Sequence, residues 1–340
     1  MAWQGLPRTI ACGLVFVAMV FAARAQMFWP TPNKAFAEGR PYGDYIQPTV
    51  SGLIESGMFG CVRNSRLQFH EGLDLKPIER DGRGETADPV FAVLPGVVRH
   101  TSTKSGLSSY GRYVVVEHSG QRPEFITLYA HLLSISPGAR AGSAVEAGQT
   151  LGIMGRSAAG YSIPRERAHL HVEAGVWLSE KFQQWYHGRK FGSKNDHGVF
   201  NGMNIVGFDY LDFVERLRAR QVRDASEYLA RLPTALTVLV RSAFTPDFVR
   251  RYPELVDGGP PEAGVAGWEI DFTWFGLPKA WRRLDAKTVA EAPAGKTAVL
   301  FHDAALLERF PCQDAVRTRR GRVSMGGRAR DAIEILFTGE

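Results

Sequence analysis

"RAHLHVEAGVW", residues 167–177, alternates polar with apolar side chains from His169 to Ala174. A period of two marks a β-strand with one face toward a core. On such a strand His169 and His171 share one face, while Leu170 and Val172 point to the other. Two neighbouring histidines with apolar residues behind them suit a divalent cation. They also suit an ordinary surface pair, and the strand alone does not choose.

Upstream of this stretch the chain keeps the same character. "PVFAVLPGVVRHTST" (89–103) reads as two strands hinged on Pro95-Gly96, and "YGRYVVVEHSG" (110–120) as a β-branched strand ending in a turn. "FITLYAHLLSI" (125–135) is a further strand carrying His131, and "GSAVEAGQTLGIMG" (142–155) gives two short strands around a glycine turn. Strands at this spacing with no helices between them predict a mainly β fold, a compact antiparallel sheet or barrel-like domain.

The pattern changes after "FNGMNIVGFDYLDF" (200–213), where Leu211, Val214, Leu217, Val222, Tyr228 and Leu232 recur near helical spacing. Beyond about residue 235, strand-like runs ("LTVLV", "TAVLF", "AIEILF") alternate with Pro/Gly loops, which predicts a small α+β appendage.

The two ends of the chain bear on its compartment. Residues 1–25 carry Arg8, an apolar run from Ile10 to Ala23, and the small-x-small pattern Ala23-Arg24-Ala25. They read as a secretory signal peptide, because the run is short for a membrane span of roughly 20 residues. An uncleaved anchor is the alternative, and both readings export the remainder. Cleavage would remove Arg8, Arg24 and Cys12, lowering the net charge from +6 to +4. Cys61 and Cys312 would remain, an even count that suits either one disulfide or two buried thiols. The basic run "RTRRGR" (317–322) has no interleaved aromatics, which argues against a nucleic-acid partner. Residues 26–49, rich in Pro, Gly and aromatics, read as an extended arm.

"FHEGLDLKP" (69–77) places His70 and Asp74 on either side of a glycine. Taken alone it is a polar turn as readily as a ligand pair. His131 alone is equally a hydrogen-bonded core histidine. The histidines at 100, 118, 187, 197 and 302 have no comparable setting.

Taken in order, His70-x-x-x-Asp74, Tyr129-Ala130-His131-Leu132 and His169-x-His171 resemble the motifs of the lysostaphin-like (LytM-type) zinc metalloendopeptidases, hydrolases of bacterial peptidoglycan. The resemblance runs over about residues 50–177 and on toward 216. It implies a metallopeptidase domain at 50–216, followed by a C-terminal region (217–340) with no recognised counterpart. His70, Asp74 and His171 would hold one Zn²⁺ per chain. His131 and His169 would be the catalytic histidines, either of them the base. The implied substrate is the peptide stems or cross-bridges of peptidoglycan. The implied location is periplasmic or extracellular and wall-associated, with no membrane span after signal cleavage.

The segments 78–88 and 160–167 are longer than the family pattern, which leaves substrate preference open. A catalytically silent member of the same fold, binding peptidoglycan or regulating an amidase, is the alternative. "GSAVEAGQTLGIMG" is similar to the hairpins of biotinyl and lipoyl carriers, but it has no lysine at its tip.

Overall fold

The computed structural model describes residues 27–260 and 264–340. The signal segment expected at 1–25 lies outside the described residues.

The chain builds its first sheet from short strands that follow the sequence alternation. β1 (Gly60–Arg63) and β2 (Gln68–His70) form a hairpin, and β3 (Leu73–Leu75) follows at once. Next come β4 (Pro89–Phe91), β5 (Gly96–Ser102), β6 (Tyr113–His118) and β7 (Phe125–Ala130). Short strands β8 (Ser134–Ile135), β9 (Ala144–Val145) and β10 (Thr150–Ile153) precede β11 (Leu170–Trp177). α1 (Phe182–Gly188) and β12 (Ile205–Phe208) complete this half.

The main sheet runs β12-β11-β7-β6-β5-β9, with β3 also paired to β11, and every pairing is antiparallel. β11 therefore has β7 on one edge and, in succession, β3 and β12 on the other. The register sets His171 opposite Asp74 on β3 and opposite Ala130 on β7.

One face of the sheet buries Val114, Val116, Tyr129, Leu170, Val172 and Val176 in the main core. The other face carries a smaller apolar cluster, including Tyr113, Val115, Leu128 and Ala130. His171 and Glu173 belong to this second face by strand parity. The fold is thus the mainly β, antiparallel architecture that the alternation predicts.

Residues 27–49 lie along this body. The Phe28 N–H donates to the Val93 carbonyl at 2.7 Å, and the Trp29 ring stacks on Phe36 at 4.1 Å.

The C-terminal region mixes helices with a second sheet. α2 (Tyr210–Arg218) and α3 (Ala225–Arg231) replace a single long helix, because Asp209 and Asp224 each cap a new start. β13 (Leu236–Val240), α4 (Asp247–Arg251), β14 (Gly267–Phe272) and β15 (Pro278–Leu284) follow. α5 (Ala286–Glu291), β16 (Thr297–His302), α6 (Ala304–Arg309), the hairpin β17 (Val316–Arg319) and β18 (Arg322–Met325), and α7 (Gly327–Leu336) end the chain.

"AIEILF" is therefore helix, not strand. Ala329, Ala332, Ile333 and Leu336 are buried at helical spacing, a period that outweighs the local β-branched content. The second sheet has the order β15-β14-β13-β16. Cys61 and Cys312 are disulfide-bonded across a sequence separation of 251, tying this region to the β1–β2 hairpin.

Candidate metal centre

Three short elements bring the centre together. His70 ends β2, Asp74 is the middle residue of β3, and His171 is the second residue of β11. Gly72, between the first two, packs directly against β11. A Cβ there would lie 2.4 Å from the Val172 carbonyl oxygen and 3.0 Å from His171, so no other residue fits without displacing β11.

His70 Nε2 stands 3.0 Å from His171 Nδ1 and 3.2 Å from Asp74 Oδ1, and His171 Nδ1 stands 2.9 Å from the same oxygen. Among the described residues this is the one group of three His, Cys, Asp or Glu side chains whose donor atoms converge closely enough for a metal ion.

The hydrogen bonds on the far side of each ring decide which nitrogens face inward. His70 Nδ1 donates to the Met58 carbonyl at 2.7 Å, and His171 Nε2 donates to Glu173 Oε1 at 2.9 Å. With its Nδ1 proton committed, the His70 ring turns Nε2 toward the centre. Burial opposes charge on His171, but its hydrogen bonds to Asp74 and Glu173 prevail and push it up to about 9, so a proton on Nδ1 sits where a metal ion would displace it. A tetrahedral Zn²⁺ with bonds of about 2.0–2.1 Å sets its ligand atoms roughly 3.3 Å apart. The donor set and its spacing fit that ion.

His131 and His169 flank the triad with their rings turned the same way. His131 Nδ1 donates to the Ser157 carbonyl at 2.9 Å, and His169 Nδ1 donates to the Arg167 carbonyl at 2.7 Å. Their Nε2 atoms are thereby left as acceptors, and His169 Nε2 stands 3.6 Å from Asp74 Oδ1. The His131 ring centroid is 4.9 Å from that of His169 and 5.7 Å from that of His171. All five residues read from the sequence come together here.

Two of them sit differently from the expectation. His131 is not on the strand but just past the end of β7, at φ +62°, a left-handed conformation that non-glycine residues seldom hold. Its N–H donates to the Tyr110 carbonyl, which pins that turn. His169 precedes β11, joined to Gly155 by an isolated bridge.

The model of peptidase family M23 matches residues 68–181, about a third of the chain. No curated protein matches the sequence.

Among solved structures, the chain is similar to the catalytic domain of EnpA, a prophage-encoded M23 protein of Enterococcus faecalis. The identity is 21% and the TM-score 0.27, over 38% of this chain and 79% of that one. It is also similar to a zinc-containing peptidase of Vibrio cholerae, with 25% identity and a TM-score of 0.30, over 44% of this chain and 36% of that one. A third is the catalytic domain of lysostaphin from Staphylococcus simulans, with 19% identity and a TM-score of 0.28, over 51% of this chain and 95% of that one.

Around this centre, burial and neighbouring groups set the protonation states. Burial opposes charge on Asp74, but its interactions with His70 and His169 and the hydrogen bond from His171 prevail, holding the carboxyl well below its usual range. Burial pushes His131 well below the usual imidazole value, and His169 and His171 add to that push. Burial likewise lowers His169. Both flanking rings are therefore neutral near pH 7 and able to take a proton at Nε2.

Three further residues support the centre. Glu173, which the sequence offers either as a partner of His171 on the same strand face or as a strand-end carboxylate, is buried mid-strand. It accepts from His171 and, at 2.7 Å, from the Tyr110 hydroxyl. Arg63 donates to Asp74 Oδ2 at 2.5 Å and to the Ser56 carbonyl at 3.1 Å, leaving Oδ1 for the histidines. The Tyr113 hydroxyl bonds His197 Nδ1 at 2.6 Å, so His197 has a setting after all. The alternation of "HVE" places Glu173 on the same face as His171. Nothing local could have flagged Arg63.

The centre opens into a cleft of about 1030 Å³. The lengthened segment 160–167 supplies Tyr161, Ser162, Ile163 and Pro164 to its wall. The lengthened segment 78–88 braces that wall: Glu85 pairs with Arg156 at 3.0 Å and with Arg165 at 2.9 Å.

Proposed function

We propose that this chain is an exported zinc metalloendopeptidase that hydrolyses peptide cross-links of bacterial peptidoglycan. The observation that carries this reading is the triad of converging donor atoms 2.9–3.2 Å apart, in a segment that matches the M23 family model and opens into a cleft.

His70, Asp74 and His171 would hold one Zn²⁺, which when bound acts as a Lewis acid toward a peptide carbonyl and lowers the pKa of water. The remaining chemistry falls to side chains of this chain. His131 and His169, both neutral, can accept a proton at Nε2 and return it to the leaving amine, and either can serve as the base. Glu173 and Met58 fix the ring orientations of His171 and His70, and Arg63 fixes the Asp74 carboxylate. Burial at the floor of the cleft excludes water and strengthens each of these contacts.

In this reading residues 1–25 are a cleaved signal, 26–49 an arm, 50–216 the catalytic domain and 217–340 an added α+β region. No helix among the described residues is long and apolar enough to cross a membrane.

The test is hydrolysis of cross-linked muropeptides followed by mass spectrometry, with zinc content measured alongside. The wild-type chain is expected to carry one zinc, to lose activity on chelation and to regain it with Zn²⁺. His131→Ala should keep its zinc and lose roughly 10²–10⁴-fold in rate. Full activity in that variant would overturn the mechanism, and zinc without hydrolysis of any wall fragment would favour a silent, binding role.

A further inference from the structure

Resting on the peptidase reading above, we infer that Arg328 of the C-terminal region, with Arg167 of the M23 domain, forms a subsite for a free carboxylate of the peptide substrate.

The charged side chains of the cleft other than its histidines are Arg63, Arg167, Arg328, Glu71 and Asp74. Two of these are already committed to each other, since Arg63 bonds Asp74 at 2.5 Å. Arg167 lies on the segment that delivers His169, and its carbonyl orients that ring. Arg328 lies in the first turn of α7 and reaches the same cleft. Neither guanidinium has a hydrogen-bond or ion-pair partner among the described residues, and Glu71 pairs with neither. Other arginines of the C-terminal region are engaged: Arg317 with Asp314 at 2.5 Å and Arg282 with Asp271 at 2.9 Å.

Two unpaired guanidinium forks facing a cleft are suited to bidentate recognition of a carboxylate. The occupant is therefore a peptide that bears a free carboxylate near its scissile bond.

The position of Arg328 relative to the metal ligands is fixed by covalent and packed contacts. The Cys61–Cys312 disulfide joins the C-terminal region to β1, where Cys61 pairs across the hairpin with Phe69, the neighbour of His70. Trp274 stacks on Phe310 at 3.7 Å and meets Phe69 at 5.9 Å. Arg66 donates to the Arg309 carbonyl. Along α7, Glu334 accepts from Trp185 Nε1 at 3.2 Å and Asp331 pairs with Arg189 at 2.8 Å. The region 217–340 in this way contributes Cys312 and Arg328 to the lining of the cleft.

The experiment measures equilibrium binding by calorimetry, using the zinc-loaded full chain with His131→Ala to prevent turnover. The probes are a cross-linked muropeptide with free carboxylates and the same molecule with each carboxylate converted to a carboxamide. The free form is expected to bind about tenfold more tightly. Adding Arg328→Ala should erase most of that preference and leave the amidated form's affinity unchanged. Arg328→Lys should keep part of the preference, and Arg328→Glu should invert it. Zinc content and melting temperature certify that each variant is folded. A preference that survives Arg328→Ala, or no preference in the parent, overturns the inference. Hydrolysis by the wild-type chain is scored separately, so a carboxylate preference without hydrolysis would sink the peptidase reading and leave the subsite standing.

Discussion

The M23 sheet and the C-terminal sheet are both antiparallel, yet they bury different chemistry. Within the M23 domain His70, Asp74, His131, His171 and Glu173 are buried side by side around one point. In the C-terminal sheet the interior is Val238, Trp268, Ile270, Phe272 and Trp281. Its buried polar groups answer to local needs: Thr237 bonds Asp271, Thr273 accepts from the Leu277 N–H, and Lys279 donates to the Leu232 carbonyl. Burying polar atoms costs free energy unless each finds a partner. Where several converge on one point with their outer bonds already satisfied, the inner face is shaped for something the chain itself does not supply. The first sheet is a site and the second a support.

That contrast can be broken in three ways, taken from the largest effect to the smallest. The disulfide is the covalent tie between the two regions, and it closes a loop of 251 residues. Replacing Cys61 and Cys312 together by Ser is expected to cost about 5 kcal/mol by the chain-entropy relation, read from urea denaturation. Zinc stoichiometry should be unchanged, since all three ligands belong to the M23 domain. A variant that loses zinc would make the C-terminal region part of the metal site.

Acid is expected to act through the M23 half. Burial pushes His118 down to about 4, where it bonds the Pro95 carbonyl and the Thr127 hydroxyl. Its folded pKa lies below the unfolded value near 6.5, so the unfolded chain takes up the proton first as pH falls. Stability from this residue is complete above about pH 6.5 and declines until about pH 4, by about 3 kcal/mol. The C-terminal region has a single histidine, His302. Urea midpoints from pH 7 to 4 should fall, and His118→Gln should flatten the slope. An unchanged slope in that variant would remove His118 from the account.

The smallest effect separates a partner of a ligand from a paired surface carboxylate. Glu173→Gln is expected to weaken zinc binding about 10–100-fold, because the His171 ring loses the side-chain carboxyl oxygen that orients it. Glu269→Gln, which breaks the pair with Arg282 on the support sheet, should leave zinc affinity as it was. Equal losses in a chelator competition would erase the distinction drawn here.

Much of the first sheet was legible because alternation is a property of a few consecutive residues. β5, β6, β7 and β11 fall within the stretches that alternation marks. β14 carries the same kind of signal, with Trp268, Ile270 and Phe272 buried on alternate positions, but it is a single short run set among Pro/Gly loops. "AIEILF" misled in the other direction, since its helical partner positions lie upstream of it, at Ala329. The site residues were legible as types and as an order. The orientation of the His70 and His131 rings was not, because it depends on carbonyls that come from other segments, Met58 and Ser157.

The sequence by itself determined that the fold is mainly β, since periodicity resides in short stretches, and the order of its motifs named, by resemblance, the side chains that would meet. The tertiary structure decided how they meet. Asp74 faces His171 across 97 residues of chain because β3 and β11 pair in one register, and a slip of one position would turn every side chain of β3 to the other face. It also decided that His131 leaves its strand in a left-handed turn and that Arg63 braces Asp74. The same long-range packing brings a disulfide-tied region with no motif of its own to the cleft, through Cys312 and Arg328. Those features depend on contacts between distant segments, and no local window contains both partners.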